Sequence, residues 1–384
     1  MGHSLKYDSF LQYKEGEKVE KMYAERHNKL LEVMRDKGWD CVILWPSPNM
    51  YYMTGYYPKP DERLQIAFIP VQGEPVLIVP RLYSGESKHK CWIKDQRSWI
   101  DGDDILALTK DVIKDLGLKD ARIALDDTMG FLQVSTIQAA CPKAEFGLAG
   151  TVMSPLRLEK GPEEIALMQK SSQISDEVMQ IGIDACLSGQ NEQQLVDLVE
   201  YELRKRGMAN GFSNLIASGT HSALPHHVSS KRVPQKGDAV FLDIGGAYER
   251  YWSDITRTIH IGPPSAKFIE TYEAVKEAQQ RASEAVKPGV TAEEVHETAF
   301  GYLEKKGLSK YFFHRVGHGM GLEGHELISI NRGNHLVLKP GMTFSVEPGV
   351  YFEGEFGIRI EDTVVVTETG HKSLTEFTRD LIVL

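Results

Sequence analysis

A carboxylate–glycine pattern occurs twice in the C-terminal half of the chain. The first copy runs from Gly237 to Gly245 and the second from Gly341 to Gly349. In each copy a glycine starts a β-rich run, an acid follows six residues later, and a second glycine comes two residues after the acid. Each copy therefore predicts a β-hairpin, and the repetition predicts two similar halves in this part of the chain.

The repeated acids are Asp243 and Glu347, and each is followed by a second acid further along the chain. Asp254 is the second acid of the first copy, and Glu361 is that of the second copy. His318 lies between the copies in a glycine-rich segment. Because side chains of a strand alternate between two faces, a hairpin of suitable register places both of its acids on one face.

The expected register of each hairpin follows from its expected turn. A turn centred between Tyr248 and Glu249 would place the two acids of the first copy directly opposite each other. A turn near Gly354 would do the same for the second copy. Cross-strand neighbours lie ~5 Å apart, which is close enough for two carboxylates to share one cation.

Four converging carboxylates predict a two-metal hydrolytic site. Without cations, the acids would repel one another and raise one another's pKa values. Two divalent cations ~3.5–4 Å apart would neutralise the acids, lower the pKa of water and polarise a scissile carbonyl. Four carboxylates and one imidazole favour manganese, with cobalt, iron(II) or zinc as alternatives. For any single acid the alternative interpretation is a solvated hairpin face.

Composition excludes several classes of function. The chain has 384 residues, of which 41% are hydrophobic and 26% charged, as in a globular protein with two domains. Its net charge of -10 argues against nucleic-acid binding, which needs clustered Lys and Arg. No apolar run reaches the ~20 residues that span a membrane, and the N-terminus lacks the apolar region of a secretory signal. Four scattered cysteines favour a reducing, cytoplasmic location.

The order of helical and β-rich patterns predicts an α/β domain over residues 1–155 and a second domain over residues 160–384. Pro162 suits the first turn of a helix, and Thr291 with Glu294 forms a capping box for another. The elements expected in the first domain are helices at 17–37 and 103–116 and strands at 41–44, 64–70, 75–79 and 121–125.

The acids and the histidine resemble the creatinase/prolidase/aminopeptidase P superfamily of metallopeptidases, and Asn49–Gly55 resembles a segment of its N-terminal domain. The resemblance implies an α/β creatinase-type N-terminal domain and an α+β catalytic domain with the pseudo-twofold "pita-bread" fold. It also implies a homodimer by analogy. Because all five ligand positions are filled, the chain differs from creatinase and from non-catalytic members, which have lost ligands.

The resemblance also implies a role for each of the five residues. Asp243 would bind one metal ion, and His318 and Glu347 would bind the other. Asp254 and Glu361 would bridge the two ions. Glu347 would also transfer a proton from the attacking water to the leaving nitrogen.

Three further residues are expected at the site, of which the two histidines correspond to positions of the superfamily. His226 and His325 match histidines on the substrate side, and they are expected to act in substrate binding and catalysis. Arg359 precedes Glu361 by two residues and is expected on the same strand face, where it would hold that acid in place as a hydrogen-bond donor and contact the substrate. The remaining histidines considered are interpreted as ordinary polar residues: His221, His227, His314 and His335.

The implied activity is hydrolysis of Xaa-Pro dipeptides or peptides through a metal-bridging hydroxide. Alternatives are an aminopeptidase P acting on longer Xaa-Pro peptides, a hydrolase of small non-peptide amides, and a binding module on an inactive fold. Many prolidases carry a proline two residues after the His-Glu pair, where this chain has Leu327 and Ile328. The nearest arginine able to bind a substrate carboxylate is Arg332.

Overall fold

The computed structural model describes residues 12–209 and 214–384 of the chain. The chain is divided into two compact units, Met1–Leu156 and Arg157–Leu384. No helix in the described ranges is long and apolar enough to cross a membrane.

The first unit is built on a six-stranded mixed sheet with the strand order β4-β3-β2-β1-β5-β6. The central strand β1 is buried along its whole length, pairing antiparallel with β2 and parallel with β5. The predicted helices and strands of this unit are all present, with ends that differ by a few residues. The elements are α1 Gln12–Lys37, β1 Cys41–Leu44, α2 Pro48–Thr54, β2 Ile66–Pro70, β3 Val76–Pro80, α3 Ser84–Lys90, β4 Asp95–Trp99, α4 Ile105–Asp115, β5 Arg122–Leu125, α5 Phe131–Ala140 and β6 Glu145–Leu148. The helix α6 Gly150–Leu158 begins in this unit and ends just past its boundary.

The second unit contains two helix pairs, each followed by hairpin strands. Within the described residues, the strands form three sheets. The first has the order β10-β9-β7, and β8 also pairs with β9; the second has the order β12-β11-β13-β16-β17; the third is the pair β14-β15. The elements are α7 Pro162–Ala185, α8 Glu192–Lys205, β7 Met208–Ala209, β8 Leu215–Ser218, β9 Ala239–Tyr248, β10 Tyr251–His260, α9 Ala266–Ala285, α10 Ala292–Lys305, β11 Gly317–Gly319, β12 Glu326–Ile330, β13 Thr343–Val346, β14 Gly349–Phe352, β15 Phe356–Arg359, β16 Asp362–Val366 and β17 His371–Ser373.

The helix starts predicted from the sequence are confirmed. Pro162 is the first residue of α7, where its missing N–H costs no hydrogen bond. At the start of α10, the Glu294 N–H donates to Thr291 Oγ1 at 3.2 Å, and the Thr291 N–H donates to Glu294 Oε2 at 2.7 Å. This reciprocal pair satisfies N–H groups that the first helical turn leaves without a partner.

The turn of the first hairpin differs from the predicted one. The two turn residues are Glu249 and Arg250, so the turn is centred one residue later than expected, and Tyr248 pairs with Tyr251. Both turn residues have positive φ, 46° and 72°. A two-residue turn of this hand matches the twist of the flanking strands. The sequence lacks the Asn-Gly or Asp-Gly signal of such a turn, which is why the expected centre was wrong.

The later turn changes the partners of the first two acids. Asp243 lies opposite Thr256, and Asp254 lies opposite Gly245, so the acids are diagonal neighbours and the predicted direct pairing is wrong. The difference amounts to two residues of register, which preserves the face on which each side chain lies. Both acids therefore still lie on one face of the hairpin.

The second hairpin has the predicted turn. Pairing of β13 with β16 and of β14 with β15 follows one continuous register centred on Gly354, whose φ is +75°. Glu347 and Glu361 lie in the gap between the two paired stretches, at matching positions of that register. The expectation that the second turn brings these two acids together is confirmed.

Hydrogen bonds from the backbone and from the Thr363 side chain join the two hairpins along β10. The Asp254 N–H donates to Thr363 Oγ1 at 3.3 Å, and the Thr363 hydroxyl donates to the Asp254 carbonyl at 2.9 Å. The Glu361 N–H donates to the Thr256 carbonyl at 3.1 Å. The acids of the two hairpins are thereby held against each other.

Candidate metal centre

The centre of the second unit brings together carboxylates from both hairpins and one imidazole. Ligand atoms of Asp254, His318 and Glu361 all lie within 4.8 Å of one another. The Nε2 atom of His318 lies 3.8 Å from Asp254 Oδ2 and 3.3 Å from Glu347 Oε1. The structure therefore gathers residues that the sequence distributes over more than one hairpin.

His318 presents an unprotonated nitrogen to these acids. Its Nδ1 lies 3.2 Å from the Gly319 carbonyl oxygen, which can only accept a hydrogen bond, so Nδ1 carries the proton. Burial, together with the charge of the neighbouring His325, lowers the pKa of His318 to about 3. The imidazole is therefore neutral, and its Nε2 lone pair points towards negative oxygens, an arrangement suited to a metal ligand.

Two buried carboxylate oxygens lack any hydrogen-bond donor within the described parts of the chain: Asp254 Oδ1 and Glu361 Oε1. Burial raises the pKa of both acids well above its usual range, and the surrounding acids raise it further. Burial likewise raises the pKa of Glu347 to about 7, although Arg359 opposes the shift. Buried acceptors without donors are costly, so this set of oxygens fits divalent cations.

Arg359 holds a different acid from the one expected. Its guanidinium donates to Asp243, and the structure shows no direct hydrogen bond to Glu361 among the described residues. Instead, Arg359 Nε donates to Thr256 Oγ1 at 3.2 Å, and the Thr256 hydroxyl donates to Glu361 Oε2 at 2.6 Å. The predicted contact with Glu361 is thus indirect, because the strand face is shared but Thr256 occupies the space between the two side chains.

The same guanidinium contacts two groups that the sequence analysis did not identify. Arg359 Nη1 donates to the Tyr351 hydroxyl at 3.4 Å and to the Pro225 carbonyl at 3.3 Å. Tyr351 also lies 3.1 Å from His314 Nε2, so His314 is connected to Arg359 through Tyr351, and its interpretation as an ordinary polar residue stays a prediction. Strand alternation could have indicated Tyr351, because it lies four residues after Glu347 and is therefore expected on the same strand face.

The two predicted substrate-side histidines border the acid cluster and are exposed. The ring centroids of His325 and His318 are 3.8 Å apart. Burial lowers the pKa of His325, and the charges of Arg315 and His226 add to that effect, which places His226 and Arg315 in the same neighbourhood. Both imidazoles are therefore accessible beside the acids.

Glu326, the residue after His325, has a structural partner on each side. Its Oε2 accepts a hydrogen bond from Lys160 Nζ at 2.7 Å, and its Oε1 accepts from Arg157 at 2.5 Å and from the Leu322 N–H at 2.9 Å. Its side chain is 7% exposed. These contacts fix the backbone from which His325 projects.

Comparison with known proteins gives the same result over nearly the whole chain. The family model of Metallopeptidase family M24 matches residues 166–368, and that of the Creatinase/Prolidase N-terminal domain matches residues 26–158. An Xaa-Pro dipeptidase of Pyrococcus furiosus is 36% identical over 361 residues, covering 93% of this chain and 99% of the relative.

Solved structures with a similar fold have comparable coverage. A recombinant prolidase from Thermococcus sibiricus has a TM-score of 0.89 and 37% identity, covering 94% of this chain and 99% of its own. An X-Pro aminopeptidase from Thermotoga maritima has a TM-score of 0.81 and 32% identity, covering 92% of this chain and 100% of its own.

These similarities confirm the superfamily and the fold class inferred from the repeated acids. Divalent metal ions and peptide substrates are implied by the family, and the buried acid cluster, with two oxygens unpartnered among the described residues and a neutral imidazole, fits such ions. The chain therefore belongs to metallopeptidase family M24, and it is a hydrolase with a creatinase-type N-terminal domain and a pita-bread catalytic domain.

Proposed function

We propose that this protein hydrolyses the amide bond of Xaa-Pro dipeptides. The observation that carries the proposal is the buried cluster of Asp254, Glu361 and His318, which lies beside exposed histidines. Within the described residues, Asp254 Oδ1 and Glu361 Oε1 have no hydrogen-bond donor. The Xaa-Pro dipeptidase of Pyrococcus furiosus, which is 36% identical, supports the choice of substrate.

Five residues would hold two divalent cations, of which manganese is the first candidate: Asp243, Asp254, His318, Glu347 and Glu361. When bound, such ions lower the pKa of water and polarise the scissile carbonyl. The ligand set is rich in oxygen and contains no thiolate, which favours manganese, cobalt or iron(II) and leaves zinc as an alternative.

Glu347 is the residue we assign to proton transfer. Its side chain is 13% exposed, whereas the side chain of Asp254 is 9% exposed, so Glu347 is the more accessible of the two acids beside His318. Ser345 Oγ donates to its Oε1 at 3.1 Å, which orients the carboxylate. In this role Glu347 accepts the proton of the attacking water and delivers it to the prolyl nitrogen, which leaves as an amine.

His226 and His325 are assigned to substrate contacts because both are exposed beside the cluster. Their imidazoles would donate hydrogen bonds to substrate oxygens and so orient the peptide. Arg359 is only 3% exposed and donates to protein groups, so we assign it to positioning Asp243 rather than to the expected substrate contact.

Arg315 is a better candidate than Arg332 for binding the free carboxylate of a dipeptide. Arg332 is exposed and forms a two-point ion pair with Glu297 on α10, with contacts of 2.6 and 3.0 Å. Arg315 is half-buried, donates to Ser329 Oγ at 3.4 Å, and forms no ion pair with an acid in the described ranges. A guanidinium without an acidic partner suits a substrate carboxylate.

Replacing Arg315 with Met is expected to lower kcat/KM for Ala-Pro by about 10²–10³-fold, because removing one partner of a hydrogen-bonded charge pair costs ~2–5 kcal/mol. The same substitution should change the rate on Ala-Pro amide, which has no carboxylate, much less. Arg332→Met serves as the matched control and should leave both rates near those of the wild type. Equal losses of Arg315→Met on the two substrates would remove Arg315 from this role.

The proposed function is tested by proline release from Ala-Pro, using protein stripped with a chelator and reloaded with Mn²⁺ or Co²⁺. Metal-dependent cleavage of Ala-Pro with little cleavage of Ala-Pro-Ala is the expected result. Preference for the tripeptide would assign the protein to the aminopeptidase P activity, an alternative favoured by the similarity to the Thermotoga maritima enzyme. If two metals bind and neither peptide is cut, the proposed substrate class is wrong.

We also propose that the protein acts as a homodimer in a reducing, cytoplasmic compartment. The four cysteines are all buried and free, as expected of a protein that makes no disulfides: Cys41, Cys91, Cys141 and Cys186. The dimer follows from the resemblance, and a monomeric mass in solution scattering would exclude it.

A further inference from the structure

Glu192 is a fully buried carboxylate for which the proposed reaction has no use. It is the first residue of α8, and six donors converge on it. Its Oε1 accepts from the Ser218 N–H at 2.8 Å, the Ser218 hydroxyl at 2.7 Å and His221 Nδ1 at 3.0 Å. Its Oε2 accepts from the Ser230 N–H at 3.0 Å, the Ser230 hydroxyl at 2.7 Å and His227 Nε2 at 3.1 Å.

These donors keep Glu192 ionised. Burial alone would raise its pKa, but the hydrogen bonds from Ser218 and Ser230 lower the pKa to about 2. Glu192, His221 and His227 are also spaced closely enough to hold a cation. The carboxylate oxygens are, however, already occupied by protein donors, in contrast to the unpartnered oxygens of the metal centre. The group is therefore a hydrogen-bonded hub rather than a metal site.

The hub holds one loop, residues 218–230, which we call the histidine loop. Its two ends reach Glu192 through Ser218 and Ser230. The start of α8 adds backbone bonds, because the Glu192 N–H donates to the Arg232 carbonyl at 2.9 Å and the Gln193 N–H donates to the Ser230 carbonyl at 3.0 Å. A negative side chain at a helix N-terminus is further stabilised by the helix dipole.

The other side of the histidine loop is fixed against β15. The Gly357 N–H donates to Ser222 Oγ at 3.0 Å, and a Cβ atom at Gly357 would lie 2.0 Å from the Ser222 carbonyl oxygen. Arg359 donates to the Pro225 carbonyl at 3.3 Å and also to Asp243. One guanidinium thus links the loop to an acid of the metal centre.

His226 lies within this loop, between the two imidazoles that contact Glu192. Its own side chain is exposed and has no hydrogen-bond partner in the described part of the chain, so the backbone sets its position. The rings of His221 and His227 pack at 4.1 Å between centroids, which closes the loop around the hub. We infer that Glu192 is a positioning residue that fixes His226 at the metal centre through the histidine loop.

The inference rests on the proposed function only in assigning His226 to the substrate, and a double-mutant cycle tests it. Glu192→Gln keeps the size of the side chain but turns one acceptor into a donor that faces other donors. We expect kcat/KM for Ala-Pro to fall by about 10–10²-fold, because a small misplacement of a contacting group costs that much. Glu200→Gln, the same change further along α8, should have little effect.

The cycle separates positioning from general destabilisation. If Glu192 acts through His226, then Glu192→Gln combined with His226→Ala should lose no more activity than His226→Ala alone. A fold-loss of kcat/KM in the double variant equal to the product of the losses in the two single variants would overturn the inference. So would loss of a bound metal equivalent in Glu192→Gln, because Glu192 would then be a metal ligand.

Limited proteolysis with trypsin tests the inference without depending on any catalytic activity. Lys231, next to the histidine loop, is exposed, so trypsin should nick the chain there faster in Glu192→Gln than in the wild type or Glu200→Gln. Unchanged nicking would overturn the inference even if no Xaa-Pro peptide is cleaved. If Glu192→Gln fails to fold, Ser230→Ala removes a single donor, and it should give a smaller change in the same direction in both assays.

Discussion

Asp254→Asn is expected to abolish hydrolysis of Xaa-Pro peptides, with kcat/KM falling by at least about 10³-fold. The substitution keeps the shape of the side chain and removes one of the charges that would bind the metals. Loss of several kcal/mol of transition-state stabilisation corresponds to a rate loss of this size. Metal per chain, measured by elemental analysis after dialysis, should fall together with activity.

The same variant should be more stable than the wild type when both are free of metal. Asp254 is buried among other acids, and burial first, then Glu361, raise its pKa. Asn at this position has no charge to bury, so the melting temperature in chelator should rise. Asp197→Asn, an exposed acid-to-amide change, is the control and should leave activity and metal content unchanged. A fully active, metal-loaded Asp254→Asn protein would refute the assignment of Asp254 as a ligand.

Removing the metals should make the stability of the protein strongly dependent on pH. The folded-state pKa values of Asp254, Glu347 and Glu361 are raised by burial, that of Glu347 from 4.5 to about 7. The folded state then binds more protons than the unfolded state, so the free energy of unfolding falls as pH rises. The loss begins near pH 4.5 and continues through pH 7, on the order of a few kcal/mol at ~1.4 kcal/mol per pKa unit.

Thermal unfolding in chelator between pH 5 and pH 8 measures this dependence. The metal-loaded protein should lose much less stability over the same interval, because the cations favour the ionised acids. Asp254→Asn should show a shallower slope than the wild type without metal. A metal-free wild-type protein whose melting temperature rises over this interval would mean that the acids are not clustered in the folded state.

The acids of the site could be predicted from the sequence because side chains an even number of residues apart in a strand lie on the same face. The turn at Glu249 and Arg250 differed from the expected one and shifted the strand pairing by two residues. Because a shift of two residues keeps each side chain on its face, Asp243 and Asp254 still lie on one face of the hairpin. The hydrogen-bond partner of Arg359 could not be predicted from strand alternation alone. Asp243 is 116 residues away in the chain, and only the packed hairpins show that the guanidinium reaches it.

The role of the histidine loop could not be predicted from the sequence. Glu192 begins an ordinary amphipathic helix, and His221 and His227 were interpreted as ordinary polar residues. Their shared role arises from hydrogen bonds that span 29 and 35 residues and follow no helical or β period. For His335 the interpretation agrees with its position, because it is exposed and paired with Glu293 at the surface.

The hydrogen bonds between Asp254 and Thr363 connect residues that are 109 positions apart, and each hairpin supplies only two of the four acids. Neither half of the catalytic domain therefore contains the complete set of proposed ligands. Pairing over such a distance in the chain is slow, since a large loop has to close before the contacts form. If these four acids bind the metals, a partly folded chain has no complete binding site for them. Bound ions would then stabilise the finished domain by mass action and would not nucleate its folding.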